Sequence, residues 1–116
     1  MPAPDRAALS TPELREHTRH QLREALRAGW EGYAQDELII TTRPWGFRVD
    51  EIRVPVHLWH AELDRLVPVR SARYVVRTIP SCSARFLPDE GHMLTVRHAE
   101  EILRTLVEAS RDKLGR

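Results

Sequence analysis

An aspartate and a histidine stand 28 positions apart, each on a short polar stretch behind an apolar run: Asp64 after residues 54–60, His92 after residues 84–87. A carboxylate and an imidazole are the two groups a general-base relay requires. The carboxylate accepts the proton on one ring nitrogen, fixes the tautomer, and stabilises the imidazolium as it forms. The other nitrogen is left to take a proton from a hydroxyl. Histidine suits that role near neutral pH. Gly91, directly before His92, predicts a turn conformation that other residues resist. A plainer role competes at both positions. Loop aspartates commonly cap a helix or order their own turn, and a loop histidine can simply bond backbone.

The elements around these two residues follow from local pattern. Residues 1–9 read as a frayed start. Ser10, Thr11, Pro12 and Glu13 mark a helix start, with Thr11 capping, proline at the first helical position and an acid in the first turn. Ser10 with Glu13 also fits a capping box one residue earlier. Gly29 is the expected stop, and a shorter helix runs from Trp30 to about Leu38. Pro44 places a loop over 42–46. From Val54 the texture changes to a short apolar strand reaching His60, with Pro55 near its first position. A helix over 71–79 follows, with Ala72, Val75, Val76 and Ile79 inward. A second strand spans 84–87, and a final helix runs from Arg97 to about Lys113. Strand, helix, strand predicts a parallel pair, with both interesting loops at the C-terminal ends of the strands, where such sheets place their working groups.

Other candidates carry less. His57 and His60 lie three apart on a strand and so face opposite ways, which argues against a metal pair; His60 is expected to hydrogen-bond near the acid loop. His17 and His20 share a helix without a third ligand and read as a solvated face. Cys82, the one cysteine, lies at the end of the sheet away from both loops, and it excludes an internal disulfide or a Cys-rich zinc site. Trp30, Tyr33, Trp45 and Phe47 read as packing residues.

Composition bounds the class. The chain has 116 residues, 41% hydrophobic and 30% charged, with a formal net charge of +1. That is length for one small domain, and the balanced charge predicts no nucleic-acid or anionic-membrane partner. No apolar run approaches a membrane span, and the first residues lack an apolar signal core. A cytoplasmic protein without metal or cofactor is the expectation.

The segment from Val54 to Pro68, VPVHLWHAELDRLVP, resembles the strand and acid loop that carry the triad aspartate in α/β-hydrolases. The segment from Arg85 to His92, RFLPDEGH, resembles that family's last strand and histidine loop. The stretches around Gly29–Asp36 and Pro44–Phe47 are similar to the end of its helical cap. The resemblance covers about residues 25–110. It implies an α/β fold with a helical cap remnant over 1–50 and a C-terminal β-α-β-α core over 51–116. It also implies hydrolysis of a small-molecule ester or amide through a serine intermediate, with Asp64 orienting His92. Two departures stand out. Ala61 occupies a position where the family usually has glycine. The family's Gly-x-Ser-x-Gly elbow, expected upstream in a Ser, Asp, His order, has no counterpart here: Ser10, Ser71, Ser81, Ser83 and Ser110 all lack flanking glycines. The expectation is therefore a truncated or mis-started hydrolase, or one half of a split enzyme, whose nucleophile lies outside this chain. Its first strand presents an edge open to a second copy or an N-terminal partner chain. The alternative is a non-catalytic binding or oligomerisation module.

Overall fold

The computed structural model describes residues 1–114. It is a mixed α/β structure of five helices and a two-stranded parallel sheet. In chain order the elements are α1 (Ala3–Ala8), α2 (Pro12–Ala25), α3 (Glu31–Thr42), a 3-10 turn at Val49–Glu51, β1 (Val56–Ala61), α4 (Val69–Thr78), β2 (Cys82–Leu87) and α5 (Leu94–Leu114). The strand-helix-strand-helix order expected from residue 54 onward is present, with both strands parallel.

The sheet runs in register from Val56 opposite Cys82 to Ala61 opposite Leu87. Side chains alternate between its faces. Leu58, His60, Ala84 and Phe86 share one face, and there Arg73 of α4 lies over the Phe86 ring, 5.6 Å from its centroid. His57, Trp59, Ser83 and Arg85 share the other, where Arg85 pairs with Glu101 of α5. Each face thus meets one helix. The amphipathic pattern of α4 explains its docking: Ala72 is buried and Val75 and Val76 half-buried, while Arg70 and Arg77 point outward. Ile79, buried, turns to an extended conformation at its end, and Pro80 cannot continue the helix.

Several boundaries moved relative to the sequence reading. β1 begins after Pro55 rather than at Val54, and β2 begins at Cys82, two residues early. The helix expected to stop at about Leu38 continues to Thr42. Its end falls just before the proline-imposed extended region, Arg43 being extended ahead of Pro44. α2 starts at Pro12 as expected, but Thr11 does not cap it. The Thr11 hydroxyl turns back to the Ala8 carbonyl at 3.3 Å. The helix then ends at Ala25, and Gly29 supplies a positive φ of 110° in the turn beyond it.

Residues 1–9 are not a frayed start. Pro2 leads into the helix in an extended conformation, Pro4 presets helical backbone, Asp5 sits in the first turn, and the resulting α1 packs against α5. α2 and α3 behave differently: neither contributes a buried residue. Among the described residues, the buried apolar side chains are Ala61, Ala72, Ile79 and Leu94, all in or beside the β1–α4–β2–α5 unit.

Candidate active site

Asp64 lies three residues past β1 on a tight loop. The Asp64 amide closes the turn onto the Ala61 carbonyl at 3.3 Å. One carboxylate oxygen, Oδ1, accepts the amides of Leu66 at 2.8 Å and Val67 at 3.0 Å. These bonds satisfy amides that lead into α4, so the structural role weighed for a loop aspartate is present. It occupies only that oxygen. Oδ2 faces the His92 ring, with Nδ1 3.0 Å away.

The two loops are held together by backbone as well. The Glu62 amide donates to the Leu87 carbonyl at 2.9 Å, and the Leu63 amide donates to the Glu90 carbonyl at 3.1 Å. Parallel pairing therefore continues one step past the strands and delivers Asp64 to His92. Behind the histidine loop, the buried Glu90 carboxylate meets His98 Nε2 at 3.2 Å and Arg97 at 3.1 Å. These contacts pin the loop to the first two turns of α5.

The electrostatics favour an ionised acid. Burial pushes the Asp64 carboxyl up, but the Val67 amide, the His92 ring and the Leu66 amide together hold it below the usual carboxylate range. An ionised carboxylate only accepts hydrogen bonds, so Nδ1 of His92 carries the proton it donates to Asp64, and Nε2 is the ring nitrogen left outside that pair. The Asp64 side chain is 6% exposed, whereas that of His92 is 43% exposed. The acid is shielded and the imidazole can be reached.

Both site residues expected from sequence, Asp64 and His92, are thus brought into contact. Asp64 is the one hydrogen-bond partner of His92 among the described residues. His60 is buried and its Nδ1 meets the Ala61 carbonyl at 2.9 Å, beside the acid loop. Its Nε2 and the Trp59 indole nitrogen are buried without a partner among the described residues. His57 meets the Ser83 hydroxyl at 3.0 Å on the other face. Cys82 opens β2 at the far end of the sheet. Among the described residues, no three of His, Cys, Asp or Glu gather into a metal-binding group, and no helix is long and apolar enough to cross a membrane.

Gly91 does not take the unusual turn conformation expected of it. Positive φ occurs at Gly29 and Gly46 and not at Gly91. Glycine leaves space there: a Cβ would overlap the carboxylate of Asp5, which would have to shift. Asp5 itself was missed, because the first nine residues carry no apolar periodicity. The prolines ahead of it and its own place in the first turn were the available signal. Ala61, by contrast, accommodates its methyl group in ordinary strand backbone and is fully buried.

A cavity of about 320 Å³ opens beside the histidine, lined by Met1, Pro2, Leu9, Leu66 and Met93 with Asp5, Arg65 and His92. It lies between α1 and the two loops, and its size is at the small end of ligand sites. Compared with protein-family models, curated proteins and solved structures, the chain returns no match.

Proposed function

We propose that this chain supplies the acid–base half of an α/β-hydrolase active site, with Asp64 orienting His92 and the serine nucleophile contributed from outside the chain. The observation that carries the reading is the 3.0 Å contact between His92 Nδ1 and a shielded, ionised Asp64, on loops leaving the C-terminal ends of two paired parallel strands. In the complete site, His92 Nε2 takes the hydroxyl proton as the serine oxygen attacks the ester or amide carbonyl. His92 then returns that proton to the leaving group, and water releases the acyl group by the same relay. No metal or cofactor enters the sequence.

The chain's surface supports incompleteness. Its radius of gyration is 16.8 Å, against about 13 Å for a compact domain of this size. Among the described residues, the outer edge of β1 has no neighbouring strand. A further strand there would continue the sheet and carry its own C-terminal loop to the side that holds Asp64 and His92.

The test begins with the source genome, read in frame upstream of the Met1 codon. A Gly-x-Ser-x-Gly elbow with strand and helix patterns around it is expected. In the complete assembly, His92→Ala should abolish hydrolysis of a chromogenic acetyl ester, and Asp64→Asn should lower kcat by roughly 10⁴-fold, with folding retained. An assembly whose turnover survives His92→Ala would sink the proposal.

The exposed apolar side chains of Trp30, Tyr33, Leu38, Ile40, Trp45 and Phe47 favour a second reading, a non-catalytic binding or oligomerisation module. It predicts a partner captured on this surface and no esterase activity in any assembly.

A further inference from the structure

Asp5 is 4% exposed, and the catalytic reading of the site makes no use of it. Its Oδ1 accepts the Met93 amide at 2.9 Å, across 88 positions of sequence. Its carboxylate also fills the space over Gly91 that a side chain there would occupy. The bond and the close approach flank His92 on either side, at positions 91 and 93. The carboxylate stands at the start of the 21-residue α5, where the positive end of the helix dipole favours an anion. The turn that carries His92 is thus held from outside by α1.

We infer that Asp5 is a positioning residue, which holds the 91–93 turn so that His92 Nδ1 stays on Asp64. The inference rests on the acid–base reading of His92 and adds a second carboxylate, on a third element, to it. Asp5 does not touch the reacting atoms. It acts through the Met93 amide and through its packing on Gly91. Without that clamp the turn gains freedom, the imidazole leaves Asp64 for part of the time, and the base loses its fixed tautomer.

The readout is the titration of the Asp64 carboxyl carbon, followed by NMR in the full chain. The titratable and charged groups around the site are Asp64, Asp5, Glu62, Arg65 and the His92 ring, with Glu90, Arg97 and His98 behind the histidine loop. His92→Ala removes one of the interactions that hold Asp64 down, so it should shift the Asp64 titration upward, and this sets the scale. Asp5→Ala should shift it upward toward the same position. Loss of the Asp5 charge alone would act the other way, because removing a neighbouring anion makes Asp64 easier to ionise. The sign therefore separates positioning from charge. Asp5→Asn keeps an oxygen acceptor for Met93 and should leave Asp64 at or below its wild-type position. Gly91→Ala displaces the Asp5 carboxylate without removing it. It should also shift Asp64 upward, and it carries the test if Asp5→Ala does not fold.

An Asp64 titration that stays put or falls in Asp5→Ala overturns the inference. So does an upward shift in Asp5→Asn equal to that in Asp5→Ala, or no response to Gly91→Ala. If His92→Ala itself leaves Asp64 unmoved, the acid–base pair fails first, and that outcome is distinct from failure of Asp5 alone.

Discussion

Asp64 divides its two oxygens between two tasks, and the division has consequences that can be measured separately. Oδ1 orders the entry to α4 through Leu66 and Val67, and Oδ2 orients His92. Replacement by alanine removes both. The freed amides belong to exposed residues, so water replaces part of what is lost, and the expected destabilisation is about 1 to 2 kcal/mol in urea unfolding. The pH dependence follows from the same contacts. Asp64 is held below its ordinary value in the folded chain, so near pH 4 the unfolded state binds more protons than the folded state. The stabilisation is complete above the unfolded carboxyl value of about 3.9 and is lost as pH falls through the lower folded value. Urea midpoints measured from pH 6 downward should fall in this acid window for the wild type and fall less for Asp64→Asn. Equal acid sensitivity of the two would mean that the Asp64 interactions do not bear on folding.

At the scale of elements, the histidine turn is a junction of α1, β2 and α5, and Gly91 is where they touch. Gly91→Ala forces the Asp5 carboxylate away from the Met93 amide. The cost expected for such overpacking is about 1 to 3 kcal/mol. In an Asp5→Ala background the space is vacant, so the same methyl group should cost much less. The two substitutions should therefore be strongly non-additive in a double-mutant cycle, and additive costs would show that they do not meet. This junction also marks the limit of what the sequence made legible. The β-α-β-α order and the Asp64–His92 pair were readable because they depend on local signals: β-branched runs, proline stops and polar loops at strand ends. Asp5 depends on a contact 88 positions away; the prolines beside it signal a helix start, but nothing local encodes that partner. Gly91 was singled out for the wrong reason, since a glycine needed for close approach and one needed for positive φ look alike in sequence. Thr11 carried the residue type of a cap, yet its hydroxyl found the Ala8 carbonyl instead, a competition between neighbouring backbone groups that residue type does not decide.

For the whole molecule, the question is whether the sheet ends at β1. The Val56 amide donates to Ser81 and the Glu62 amide to Leu87. The alternation of a strand then assigns the amides of Leu58 and His60 to β2 as well, and those of His57 and Trp59 to the open side. A strand edge of this kind is a template for another strand. Hydrogen exchange resolved to single amides reads the difference directly. In the chain alone, at concentrations low enough to keep it monomeric, Leu58 and His60 should exchange slowly while His57 and Trp59 exchange quickly. In an assembly that adds the neighbouring strand, all four should be slow, because the open-side amides gain partners and lose access to water. The parity makes the measurement specific. A general tightening of the fold would slow all four in proportion, whereas strand addition selects the odd-numbered pair. Slow exchange at His57 and Trp59 already in the monomer would mean that the edge is covered within the chain, and the argument for a missing neighbour would lose its footing.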